Sequence, residues 1–235
     1  MTEMFKGVTA IAFDLDGTLV DSVPDLTVAC AESLQEQGLP RCSEASVRSW
    51  VGNGAEMLIR RALAWALDDQ PSEMQVSEAL SAFKRHYEAN LTGNSRLYPG
   101  VSDTLTRLGE RGYRLALITN KPYQFVPPLL ESLGIDAHFE VVFGGDSLPE
   151  KKPSPLPLLH LCQQWQLPPQ QLLMVGDSRN DVDAAHAAKA ASVALTYGYN
   201  HGEPVEDSQP SLVLDNFETL LAYLPAKTEE TIQND

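Results

Sequence analysis

The sequence predicts an α/β fold: a Rossmann-like parallel-sheet core with an all-helical cap domain inserted into it. Three observations carry that expectation. Short apolar runs recur along the 235 residues, and each stops at a polar turn, most of which contain glycine. Stretches with helical spacing of apolar residues separate most of these runs. One stretch, Val23 to about Arg96, is helical throughout and has no strand signal. Alternating buried strands and helices build a parallel sheet with right-handed crossovers. The expected division is 1–22 with 97–225 for the core, 23–96 for the cap, and a polar, frayed tail at 226–235.

Val8 to Phe13 is the first apolar run and suits a strand buried on both faces. It stops at Asp14-Leu15-Asp16-Gly17-Thr18. Two carboxylates one residue apart do not both belong in a packed core, because an unpaired buried charge is costly. They belong at the carboxyl end of the strand, where open α/β sheets place ligands. Gly17 lets the chain turn there.

The pattern then becomes helical. Pro24 suits a first helical turn, Leu26, Ala29, Cys30 and Leu34 follow at helical spacing, and Gly38 and Pro40 end the segment. Ser43 caps a short helix through Trp50. Gly52-Asn53-Gly54 breaks the chain before a longer helix with Met57, Leu58, Ala62, Leu63 and Ala66 on one side. A further helix runs from Ser77 to Leu91 with Leu80, Phe83 and Tyr87 on one face.

After Tyr98-Pro99-Gly100, Val101 to Arg111 is amphipathic, with Leu105 and Leu108 inward. Arg114 to Thr119 is a buried strand ending at Thr119-Asn120-Lys121, and Phe125 to Leu133 a helix. Val141 to Phe143 is a strand, and Lys151-Lys152-Pro153 precedes a helix over Leu156 to Trp165. Leu172 to Val175 is a strand running into Gly176-Asp177-Ser178, followed by a helix over Asp181 to Ala188. Ser192 to Thr196 and Leu212 to Leu214 complete the strands. In a parallel sheet all these strand ends lie on one edge. Asp14, Asp16, Thr119, Asn120, Lys152, Asp177 and Asp181 are therefore expected in one pocket.

Composition narrows the function. Hydrophobic residues make up 43% and charged residues 21%, an ordinary globular balance. A net charge of −15 opposes binding to nucleic acid or to anionic membranes, and it also opposes a small anionic substrate. Any phosphate site here needs a metal or local cations. The start shows no secretory h-region and no run is long enough to span a bilayer. Cys30, Cys42 and Cys162 lack C-x-x-C spacing and read as free thiols in a reducing cytoplasm. The five histidines have no metal-ligand spacing, and Trp50, Trp65 and Trp165 read as packing residues.

FDLDGTLVDS resembles the first motif of the haloacid-dehalogenase-like phosphatases, and the later strand ends extend the likeness over nearly the whole chain. The resemblance implies Asp14 as nucleophile, Asp16 as acid and base, and Thr119 and Lys152 as phosphoryl binders. It implies Asp177 as a metal ligand and Asp181 as a carboxylate orienting metal-bound water. Asp14, Asp177 and a main-chain carbonyl at Asp16 offer hard oxygen ligands that suit Mg²⁺. A carboxylate nucleophile forms an aspartyl-phosphate, and such transfer depends on positioning and charge neutralisation. Dehalogenase members lack the second Asp of this motif, so Asp16 favours phosphate chemistry.

VGNGAEMLIRRAL, LITNKPYQFVPPLLESLGI, VVFGGDSLPEKKPSPLPLL, VGDSRNDVDAAHAAKA and LTYGYNHGEP resemble the members of that family that hydrolyse 2-phosphoglycolate to glycolate and phosphate. Those chains put Gly where this one has Lys189, at a helix end of left-handed conformation. Thr18 and Asn120 join the substrate-contacting candidates. Gly52, Asn53 and Gly54 are candidates to bind the substrate carboxylate, since glycines permit close approach and the following helix N-terminus favours an anion. Arg61, two turns on, is a further candidate charge. Competing readings are another capped phosphatase or a phosphomutase acting on a small sugar phosphate, and a regulatory binding module without turnover. The intact set Asp14, Asp16, Lys152 and Asp177 opposes the last. Oligomeric state is not readable from the sequence.

Overall fold

The computed structural model describes residues 4–226, so the expected tail, Ala226 apart, lies outside the described residues. The first apolar run forms β1 (Ala10–Phe13), followed by the two-residue β2 (Val20–Asp21). Four helices come next: α1 (Val23–Glu36), α2 (Glu44–Trp50), α3 (Ala55–Leu67) and α4 (Glu73–Ala89). β3 (Arg96–Leu97) then pairs antiparallel with β2. The remainder is α5 (Val101–Glu110), β4 (Arg114–Ile118), α6 (Val126–Ser132), β5 (Val141–Phe143), α7 (Leu156–Trp165), β6 (Leu172–Gly176), α8 (Arg179–Ala188), β7 (Ala191–Leu195) and β8 (Leu212–Leu214). Six of the strands form one parallel sheet in the order β5-β4-β1-β6-β7-β8.

Side-chain alternation in β1 sets the layers. Ile11 and Phe13 join a cluster with Leu105 and Leu108 of α5, Val126 and Leu129 of α6, and Phe217. Ala10 and Ala12 face the other way, against Leu158 and Leu161 of α7 and Ala184 and Ala185 of α8. Both faces are therefore covered, as an all-parallel sheet requires. Because β1 lies between β4 and β6, the residues that follow these three strands are neighbours at one edge. There the chain order also switches direction, the place where such sheets hold ligands.

Helix boundaries follow their caps. Ser43 Oγ accepts from the Ser46 amide at the start of α2, as the sequence suggests. α4 starts four residues before the expected Ser77, because Ser72 and Gln75 form a capping box. The two-residue pairing of β2 with β3 was not expected; Arg96 lies in it rather than in a helix. Two residues are too few to show a period. The inward stripe of α3 is Leu58, Ile59, Ala62 and Leu63. Met57 stands outside it at 41% exposure, and Trp65 is 46% exposed, against the expectation that both are packed.

Candidate active site

Asp14 directly follows β1, and its amide donates to the Val175 carbonyl of β6 at 2.9 Å, which fixes it between the two strands. Gly17 has φ +92, and a Cβ there would fall 2.2 Å from Asp177 Oδ2. The turn after β1 thus needs glycine both for its conformation and for the approach of Asp177. Asp177 follows β6. Its Oδ1 accepts from Thr18 Oγ1 at 2.7 Å and its Oδ2 from the Tyr199 amide at 2.5 Å. Asp181, in the first turn of α8, accepts from the Ser178 amide and hydroxyl at 3.1 and 2.8 Å. Lys152, on the loop between β5 and α7, places Nζ 2.9 Å from Asp14 Oδ1 and 2.6 Å from Asp181 Oδ1.

Asp14, Asp177 and Asp181 each offer a carboxylate oxygen, and these atoms lie within 4.8 Å of one another. One ammonium lies among three carboxylates, and the cost shows in the titration of Asp14 and Asp177. Burial, with help from Asp181 and Asp16 and against the pull of Lys152, pushes Asp14 up to about 6. Burial and the neighbouring Asp14 and Asp181 carboxylates push Asp177 well above its usual range. For Lys152 burial works the other way, but Asp14 and Asp181 outweigh it and its pKa is raised. A cation supplied to this cluster would relieve the repulsion. All donors are oxygens, and Asp177 accepts hydrogen bonds from neutral groups and no ammonium, so the set fits Mg²⁺.

Asp16 sits apart from this cluster. Its carboxylate accepts from Ser22 Oγ at 2.6 Å and is held at both oxygens, at 3.0 and 3.1 Å, by Lys121 Nζ. Its assignment to the metal therefore rests on the main-chain carbonyl, not on the carboxylate. Thr119, at the end of β4, accepts from the Lys121 amide at 3.2 Å, which leaves its hydroxyl proton free to donate.

Asp14, Asp16, Thr119 and Asn120 line one cavity together with Gly52, Gly54 and Ala55 from the helical segment. Its volume is about 460 Å³, mouth included. Apolar walls come from Leu26, Val51, Leu58, Phe83, Pro122 and Phe125. Thr18 is not among the lining residues; it is turned to Asp177. Asn120 Nδ2 donates to the carbonyls of Gly52 at 3.0 Å and Lys152 at 2.9 Å, tying the helical segment to the core. Asn180 Nδ2 donates to the same Gly52 carbonyl at 3.2 Å. Asn53 is turned outside the cavity, bonded to Asn180 at 3.2 Å and to Arg61 at 2.7 Å. Arg61 also donates to the Trp50 carbonyl, so its guanidinium braces the loop from within the helical segment.

Lys121, Tyr87 and Tyr199 are contributors the sequence reading passed over. Lys121 stood beside two chosen residues at the end of β4. A lone cation facing the acidic turn of a strongly acidic chain was the signal. Tyr87 falls on the apolar face of α4, and nothing in its local sequence shows where its hydroxyl goes. Tyr199 acts through its amide, which no residue type reveals.

Comparison with known proteins places the chain among relatives. The model of the haloacid dehalogenase-like hydrolase family matches residues 11–195. A protein from Aliivibrio fischeri named phosphoglycolate phosphatase is 50% identical over 224 residues, covering 94% of this chain and 98% of its own length. A Vibrio cholerae protein of the same name is 50% identical over 221 residues, 92% of this chain and 96% of its own. A crystal structure from Haemophilus somnus, described as a predicted phosphoglycolate phosphatase, superposes with a TM-score of 0.89 at 45% identity, covering 92% of this chain and 97% of that one. Among the described residues no helix is long and apolar enough to cross a membrane. With that match over most of its length, the carboxylates of its first motif at the end of the central strand and relatives half identical to it, this chain belongs to the haloacid dehalogenase-like hydrolases.

Proposed function

We propose that the protein is a Mg²⁺-dependent phosphatase that hydrolyses 2-phosphoglycolate to glycolate and phosphate through an aspartyl-phosphate on Asp14. The observation that carries the reading is the Asp14–Asp177–Asp181 cluster with Lys152 in its midst, in a chain half identical to proteins named for this activity.

Asp14 is the nucleophile. One of its oxygens bonds to phosphorus while the ester P–O bond breaks, and the electron pair leaves with the alcohol oxygen. Asp16, on the same cavity wall, gives the proton to that oxygen and later takes one from the water that attacks the aspartyl-phosphate. Lys152 holds Asp14 in place and offsets phosphoryl charge; Asp181 holds Lys152. The Thr119 hydroxyl donates to a phosphoryl oxygen. Asp14, Asp177 and the Asp16 carbonyl would hold Mg²⁺, which when bound supplies positive charge against the phosphoryl oxygens.

In this reading α1–α4 act as a cap over the core, residues 23–96 on 1–22 and 97–225. The Gly52–Gly54 loop is its clasp, since its carbonyl and side-chain groups bond the core at Asn120 and Asn180. Free, buried Cys30, Cys42 and Cys162 suit a reducing compartment, the cytoplasm.

The test compares substrates on the purified protein with Mg²⁺ present. Phosphate release from 2-phosphoglycolate should exceed that from small sugar phosphates in kcat/KM. Faster turnover of a sugar phosphate, or its conversion to an isomeric phosphate without release, would replace this reading with the capped-phosphatase or phosphomutase alternative.

A further inference from the structure

A phosphoglycolate ester brings two anionic groups to a cavity that already holds Asp14 and Asp16, in a chain of net charge −15. The phosphoryl group has Lys152 and the metal site. The carboxylate, on the alcohol side of the ester, needs its own partner. Among the residues lining the cavity, Lys121 is the sole cation.

Lys121 is 5% exposed, and its Nζ lies 3.0 and 3.1 Å from the two oxygens of Asp16. It also stands 4.6 Å from the centre of the Tyr87 ring. An ammonium has three donors and no acceptor. Tyr87, from α4, lines the same cavity, is 1% exposed, and its hydroxyl has the Lys121 ammonium beside it but no acceptor for its own proton. A lysine beside it can only donate, so the Tyr87 proton is left without an acceptor. A buried donor without an acceptor is costly and marks the place where an acceptor is to arrive. One anionic oxygen between Lys121 and Tyr87 would satisfy both groups. In the glycine loop the Gly52 carbonyl accepts from two asparagines and Asn53 is turned away, while Gly54 and Ala55 at the start of α3 line the cavity without offering a side-chain charge.

We propose that Lys121, with the hydroxyl of Tyr87, determines specificity by taking a carboxylate on the leaving-group side of the ester. Asp16 is the counter-ion of Lys121 in the structure, and the substrate carboxylate replaces it. One member of the pair comes from the loop after β4 and the other from α4 of the helical segment. The inference rests on the phosphoglycolate reading and assigns the part of the site that distinguishes this ester from others.

The experiment measures kcat/KM for 2-phosphoglycolate and for 2-hydroxyethyl phosphate, in which an alcohol stands in place of the carboxylate. Wild-type protein should prefer the first. Lys121→Met keeps an apolar stem against Tyr87 and should cut that preference roughly ten- to a hundredfold, as loss of a charged hydrogen bond does, chiefly through KM. Lys121→Arg should retain more of the preference than Lys121→Met, and Tyr87→Phe should lower it less. Lys121→Gln takes the same measurement if Lys121→Met does not fold. A wild-type preference that survives removal of the charge, or equal losses on both esters, overturns the role of Lys121 alone. A wild-type enzyme without any preference between the esters contradicts the phosphoglycolate reading and this inference with it.

Discussion

Asp14 carries a cost that its proposed role as nucleophile accounts for. Its pKa, raised by burial from 3.8 to about 6, ties metal-free stability to pH. For an acid raised on folding, the contribution to stability is fully present below the unfolded value and is lost as pH rises through the folded one. Metal-free wild type should therefore lose stability between these values. Asp14→Asn has no such titration, so in chelator its melting temperature should fall less than that of wild type as pH rises from 3.8 to about 6. Melting curves across that range check it; a variant that loses as much stability as wild type over the same interval contradicts the account. Asp177 and Asp181 are separable at the same scale. Both oxygens of Asp181 carry hydrogen bonds, one of them from the Lys152 ammonium, whereas Asp177 meets neutral donors. Calorimetric titration should find Mg²⁺ affinity reduced roughly ten- to a hundredfold by Asp181→Asn and further by Asp177→Asn. Equal affinities in the two variants would show the distinction to be mistaken.

At the scale of elements, local chemistry explains what the sequence revealed and what it hid. β4 and β6 were legible because both faces are buried, so their apolar runs are unbroken. The start of α2 was legible through Ser43. The start of α4 was equally written in Ser72 and Gln75, yet was placed too late because the apolar period sets in only at Val76. β2 and β3 exist because the ends of the helical segment meet, a tertiary fact with no local pattern. The end of α8 was read correctly at Lys189, which adopts φ 61 where a Cβ is unfavourable. Lys189→Gly should raise stability by about 1 kcal/mol without changing turnover; chemical denaturation measures it, and a loss of stability would refute the strain.

For the whole molecule, sheet order assembles the site. Placing β1 between β4 and β6 brings Asp14, Thr119 and Asp177 to one edge, and the helical segment walls one side of the cavity and is tied to the core through Gly52. Pooling of strand ends was visible in the sequence as soon as the sheet was taken as parallel. The ion pairs across the site were not, because Lys121–Asp16 and Lys152–Asp181 join residues 105 and 29 apart. Net charge opposes the anionic substrate at long range, and both lysines of the site are held by carboxylates, so turnover should need added positive charge. The most direct measurement is phosphate release from 2-phosphoglycolate by pure wild-type and Asp14→Asn protein, each with Mg²⁺ and with chelator. The account predicts turnover in wild type with Mg²⁺ alone, none in chelator, and none in folded Asp14→Asn under either condition. Wild-type-like release by Asp14→Asn, or full activity after exhaustive metal removal, would contradict it.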